Sequence, residues 1–113
     1  MKRYLNKNTS IKEALKALDT TAQKILLVEE DHKLQGVITD GDIRRLLEKS
    51  ADFIDRPVKD YMTVDPISIA PHRLAAEALQ IMEAKEINDL PVVEAEKPVA
   101  MLNFQDLLRA KVF

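Results

Sequence analysis

Two periods organise the apolar positions of the chain. Ile11, Ala14, Leu15 and Leu18 recur at i, i+3, i+4 and i+7, one face of an α-helix. Ser10 and Glu13 frame its first turn as a capping box, in which the hydroxyl accepts the free N–H three residues on. A short unbroken apolar run, Ile25–Val28, then predicts a strand. Glu29 to Lys33 reads as a polar turn, Leu34 to Thr39 as a second strand, and Asp40 to Glu48 as a helix with Ile43, Leu46 and Leu47 on its apolar side. The succession then returns. Leu74, Ala75, Ala78, Leu79 and Met82 mark a helix, Leu90–Val93 and Val99–Asn103 two strands, and Gln105 to Ala110 a last helix. Pro66 and Pro71 bracket a short extended piece around Ser68 and Ile69, and Lys49 to Asp60 is a connector.

Sliding the chain against itself by 64 residues superposes the two halves without a gap. Between Arg3–Leu46 and Ile67–Ala110, nine of 44 positions are identical, among them Leu26 with Leu90, Asp42 with Asp106 and Arg45 with Arg109. The expected organisation is a first motif over 1–50, a connector over 51–66 that leads into the second motif, and a second motif over 67–113. Each motif reads β-α-β-β-α. A unit of roughly 50 residues is too small to bury a good core alone. The expected fold is therefore α+β, with two motifs packed around a pseudo-two-fold axis. Such packing leaves two symmetric clefts, where small ligands tend to bind.

Composition removes several functions. The 113 residues are one ordinary domain's worth, 46% apolar and 32% charged, which suits a globular chain. Nineteen acidic against 17 basic side chains lack the basic excess of a nucleic-acid binder. With no cysteine there is no disulfide, thiolate metal site or cysteine nucleophile, and a reducing cytoplasm is the expected location. No apolar run approaches the roughly 20 residues of a membrane span, and the basic start lacks the apolar stretch of a secretion signal. Two glycines are too few for a Walker or Rossmann phosphate loop.

The residues closing each unit are Gly36-Val37-Ile38-Thr39-Asp40-Gly41-Asp42 and Ala100-Met101-Leu102-Asn103-Phe104-Gln105-Asp106. A small residue, two apolar residues, Thr or Ser, two variable positions and Asp form a pattern that resembles the cystathionine-β-synthase (CBS) domain. The tandem arrangement is similar to a CBS pair, or Bateman module. Met62-Thr63, Asp65-Pro66 and Leu90-Pro91-Val92-Val93 fit the same resemblance, which covers essentially the whole chain. Thr39 ends a strand and Asp42 falls in the first turn of the next helix, where the dipole favours a carboxylate. A carboxylate accepts two hydrogen bonds, as the vicinal hydroxyls of a ribose require, and free N–H groups at a helix start suit a phosphate. The resemblance implies such roles for Thr39 and Asp42 in a first site and for Asn103 and Asp106 in a second, where Asn103 departs from the usual Thr or Ser. Arg45 and Arg109 stand where an anionic group of a ligand could be met, and Arg45 is included in the expected ligand-binding set.

A narrower resemblance lies in Thr39-Asp40-Gly41-Asp42-Ile43-Arg44-Arg45, which is similar to sequences in arabinose-5-phosphate-isomerase-type proteins and in certain sugar-nucleotide transferases. Leu74–Leu79, Ile87–Leu90 and the ending Asp106–Val112 resemble the C-terminal region of the isomerases, with Gln105 where that group commonly has His. The resemblance implies a regulatory module rather than an enzyme, paired with a catalytic SIS-type domain that 113 residues cannot also contain. It implies AMP, ATP or the sugar nucleotide CMP-Kdo as ligand, no required cofactor, a homodimer, and no nucleic-acid or membrane partner. A structural dimerisation module with vestigial sites, and the regulatory pair of a sugar-nucleotide transferase, are the alternatives.

Blander readings stand beside these. Asp42 and Asp106 could be plain helix caps. Arg44 suits a solvated helix face. His32 lies in a polar hairpin tip, His72 at a helix start, and neither has the partners of a metal site; Ser10 and Ser68 lack a His–Asp pair. Met62, Met82 and Met101 read as core filler. Ile43, Leu46, Leu47, Leu107 and Leu108 are expected to offer an exposed apolar patch for self-association.

Overall fold

A computed structural model describes residues 4–19 and 24–110. Arg3, Lys111 and Val112, which the sequence comparisons use, lie outside the described residues. The elements are β1 (Tyr4–Asn6), α1 (Ile11–Asp19), β2 (Ile25–Glu30), β3 (Lys33–Thr39), α2 (Asp40–Lys49), β4 (Thr63–Val64), α3 (Ala75–Lys85), β5 (Asp89–Glu94), β6 (Lys97–Asn103) and α4 (Phe104–Ala110). Two 3₁₀ turns, Ala51–Asp55 and Val58–Asp60, lie between α2 and β4. The class is α+β, and the chain divides into two units, Met1–Pro66 and Ile67–Phe113.

In the first unit the strands run in the order β1-β2-β3-β4, with β1 parallel to β2 and the other pairs antiparallel. Leu26, Val28 and Ile38 meet Ile11, Ala14 and Leu18 of α1 and Ile43 of α2 in one core. Leu26 and Val28 are two apart in a strand and so share a face, while the helical residues follow the 3.6-residue period. Ser10 caps α1 as expected, its Oγ accepting the Glu13 N–H at 3.1 Å. The second unit has the antiparallel pair β5-β6 and its own core of Ile69, Ala78, Leu79, Met82, Leu90, Val92 and Leu107.

The 64-residue offset holds at the level of single hydrogen bonds. Leu5 pairs with Val28, and Ile69 forms a bridge with Val92. Both hairpins shift register at one place, between Val28 and Glu29 and between Val92 and Val93. Each helix that closes a unit starts with the same backbone bond, Asp40 N–H to Lys24 O at 3.0 Å and Phe104 N–H to Asn88 O at 2.9 Å.

Residues 51–66, the expected connector and entry to the second motif, pack with the first unit. Val58 is fully buried in its core, its N–H donates to Thr9 O at 2.8 Å, and β4 pairs with β3. The strand that should open the second motif is reduced to the single bridge at Ile69. The expected apolar patch is mostly interior: Ile43 and Leu107 are buried, Leu46 and Leu47 pack on the first core, and only Leu108 of the five is exposed.

Candidate functional site

The site residues of the first unit sit where β3 passes into α2. Thr39 is in extended conformation and caps the helix, its Oγ1 accepting the Asp42 N–H at 3.0 Å. Oδ2 of Asp42 accepts the Thr39 N–H in return at 2.9 Å, which closes a capping box. The other carboxylate oxygen, Oδ1, accepts from the Arg45 guanidinium at 2.6 Å. The Asp42 side chain is 26% exposed and that of Arg45 69%, so the carboxylate is sheltered and its counter-ion lies in solvent. Asp40 stands alongside, paired with Arg44 at 3.2 Å and with Lys24 at 3.7 Å. A Cβ added at Gly41 would stand in ordinary contact with Arg45 Nη1 at 3.4 Å and Thr39 Oγ1 at 3.8 Å, so the glycine backbone lies close beside both groups.

The second unit repeats the cap in altered form. Oδ1 of Asn103 accepts the N–H groups of Gln105 at 3.0 Å and Asp106 at 3.3 Å. Its amide donates to Asp89 Oδ1 at 3.3 Å. Asp106 is paired with Arg109 one turn on and is 68% exposed, so its carboxylate is far more open to water than that of Asp42. The structure thus brings Thr39, Asp42 and Arg45 together, and separately Asn103, Asp106 and Arg109. The ribose role assigned to the two aspartates competes with bonds they already make: Asp42 closes a capping box and pairs with Arg45, and Asp106 pairs with Arg109. Both can still accept further bonds, since a carboxylate has about four lone-pair positions.

Three residues at these sites were not singled out from the sequence. Asp89 faces Asn103 in the register that Ile25 and Thr39 occupy in the first unit, so the offset finds it only once the strand register is known. Lys24 and Asp40 meet across the start of α2 because the Lys24 carbonyl is bonded to the Asp40 N–H. His32 lies exposed in the β2–β3 turn, and no group of three His, Asp or Glu side chains suited to a metal ion gathers among the described residues.

A model of the CBS domain matches residues 3–49 and 58–112. The chain belongs to the CBS-domain family. The second match begins before the division between units, so the 3₁₀ turn Val58–Asp60 and β4 belong to the second CBS motif by sequence and to the first unit by packing. An arabinose 5-phosphate isomerase of Pseudomonas aeruginosa is 42% identical over 106 residues, covering 92% of this chain and 32% of that protein. The isomerase of Escherichia coli is 30% identical over 112 residues, covering 96% and 34%. The chain thus spans about a third of the length of these curated relatives. Among solved structures, a CBS-domain protein of Agrobacterium tumefaciens has a TM-score of 0.85 at 19% identity, covering 96% of this chain and 88% of that one. The CBS-pair protein CBSX2 of Arabidopsis thaliana, in complex with AMP, has a TM-score of 0.82 at 25% identity, covering 96% and 85%. A CBS domain pair in complex with 5′-methylthioadenosine and S-adenosyl-L-methionine has 0.84 at 25%, covering 96% and 89%. No helix among the described residues is long and apolar enough to cross a membrane.

Proposed function

We propose that the chain is a regulatory, nucleotide-binding CBS pair that controls a sugar-phosphate isomerase domain of SIS type. The observation that carries the reading is the sheltered Asp42 carboxylate at the strand end, held by Thr39 and bordered by Arg45. That arrangement offers acceptors to a ribose diol and a cation to an anionic group. Two related structures hold adenosine-bearing ligands, and the isomerase relatives suggest the enzyme under control. AMP, ATP and CMP-Kdo are the candidate ligands, with Thr39, Asp42 and Arg45 at the first site and Asn103 and Asp106 at the second. CMP-Kdo suits feedback on a pathway that consumes arabinose 5-phosphate, since it carries the diol, a phosphate and a carboxylated sugar. No metal or coenzyme is required. The working form is a cytoplasmic homodimer of pairs.

Calorimetry with AMP, ATP and CMP-Kdo on the wild type and Asp42→Asn tests this. Loss of a hydrogen-bonded carboxylate weakens a ribose-bearing ligand by about 1.5–3 kcal/mol. Equal affinities would remove Asp42 from the site. A second reading, a structural module with vestigial sites, is favoured by the capping work Asp42 already does. On that reading Asp42→Asn lowers stability while none of the three ligands binds the wild type.

A further inference from the structure

The two units carry opposite charge at equivalent places. Around the start of α2 stand Lys24, Arg44 and Arg45 against Asp40 and Asp42, all joined in ion pairs. Moved by the 64-residue offset, Lys24 becomes Asn88, Asp40 becomes Phe104 and Arg44 becomes Leu108, while the Asp–Arg pair is kept as Asp106 and Arg109. Ile25, the cross-strand partner of Thr39, becomes Asp89, bonded to Asn103. Three basic and two acidic side chains therefore border the first position, and one basic and two acidic the second. The hairpins keep one register, so this difference is one of side chains on a common frame. Gly41 carries no side chain beside the first position, whereas the equivalent Gln105 carries one beside the second.

We infer that a phosphate-bearing nucleotide is held by the first unit in preference to the second, with Lys24, Arg44 and Arg45 as the residues that select it. This rests on the nucleotide-binding reading above. A phosphate monoester carries about −1.5 to −2 charges at pH 7. Lys24, Arg44 and Arg45 are mostly exposed, and exposed ion pairs are weak, so exchanging an aspartate for a phosphate oxygen is easy. Two unit charges of difference within several ångströms of such a group are worth about tenfold or more in affinity, even at the dielectric constant of water. A neutral nucleoside does not feel this difference.

The test is site-resolved. The ¹⁵N-labelled full chain is titrated with AMP and adenosine, and with CMP and cytidine, and the amide signals of Asp42 and Asp106 are followed separately. The expected result is that each nucleotide moves Asp42 at a concentration at least about tenfold below that needed for Asp106. The gap shrinks with the matched nucleoside and at about 1 M salt, where screening reaches within a few ångströms. In the double variant Asp89→Ile/Leu108→Arg, the nucleotide moves Asp106 at a lower concentration than in the wild type. Equal midpoints for the two amides with AMP and CMP, or a gap that is the same with adenosine and cytidine, overturn the inference and leave nucleotide binding standing. If none of the four moves either amide, the nucleotide-binding reading falls and takes the inference with it.

Discussion

Gly36 shows what one missing side chain does. A Cβ at this position would lie 2.7 Å from Met62 Sδ and 2.7 Å from the Thr63 carbonyl oxygen. The thioether can move, but the carbonyl belongs to β4 and is fixed by the pairing of Val37 with Thr63. Glycine within a strand often marks such a close approach of another backbone. Gly36→Ala is expected to destabilise the chain by about 1–3 kcal/mol, the range for overpacking, as read from denaturant midpoints. At the repeat-equivalent position the chain has Ala100, where β6 pairs with β5 and has no recorded pairing on its other side among the described residues. A second residue-scale effect is electrostatic. Glu77 accepts from Arg73 Nε at 2.6 Å, and this bond holds its carboxyl below the usual glutamate range, against a smaller opposing effect of desolvation. A depressed carboxyl contributes stability above its unfolded pKa, and that contribution is lost as pH falls through the lower folded value. The expected outcome is a Glu77 titration midpoint, followed by carboxyl ¹³C shift, below that of an unstructured glutamate. Arg73→Ala should raise it, and an unchanged midpoint in that variant would assign the shift to another cause.

At the scale of elements, both hairpins turn through two successive left-handed residues, a conformation that Asp31 tolerates and that Ala95 and Glu96 rarely adopt. Asp31 and His32 have φ of 53° and 65°, and Ala95 and Glu96 have 51° and 67°. Two successive positive φ values are what a two-residue hairpin of matching twist requires, and Asn-Gly is its preferred sequence. The chain has neither glycine there, so the flanking strands impose the turn. A left-handed residue other than Gly, Asn or Asp carries a penalty of about 1–2 kcal/mol. Ala95→Asn is therefore expected to stabilise by up to about 1 kcal/mol, measured by thermal unfolding with Ala95→Val as a control that should do the opposite. This also explains which parts of the fold could be read in advance. The helices were legible because Ile11, Ala14 and Leu18, and Ala78, Leu79 and Met82, follow one period and are buried. The strands came out one or two residues short, because Glu29, Glu30 and Lys97 are polar ends of ladders that continue regardless. β4 was not legible as part of the first sheet. Thr63 and Val64 are too few to show a period, and their place is decided by Gly36, 27 residues earlier. The candidate site was legible at Thr39 and Asp42, whose capping bond is local in sequence. It was not at Asp89, whose partner Asn103 lies 14 residues away and is reached only through strand register.

For the whole molecule, the repeat is an argument about chemistry. Interconverting an aldose and a ketose phosphate needs a base placed against the sugar's C1 and C2, with a pocket that encloses it. A shifted titration midpoint is one mark of such a base. The shift on Glu77 has an ordinary cause in Arg73, just before α3, while Asp42 closes a capping box and pairs with Arg45, and Asp106 pairs with Arg109. Two units with one strand register suit the binding of ligands better than a single asymmetric reaction. The 113-residue chain alone is therefore expected to leave arabinose 5-phosphate and ribulose 5-phosphate unchanged, although isomerases are among its relatives. The assay is their interconversion by the purified chain, and then by the chain joined to a cognate isomerase domain with and without AMP or CMP-Kdo. A ligand regulates only if it binds the active and inactive states unequally. A tenfold preference, about 1.4 kcal/mol, would change the rate of the joined enzyme by up to about tenfold at saturation. Turnover by the isolated chain would overthrow the regulatory reading. A ligand that binds at Asp42 yet leaves the joined enzyme's rate unchanged would keep the binding module and remove its control of the isomerase.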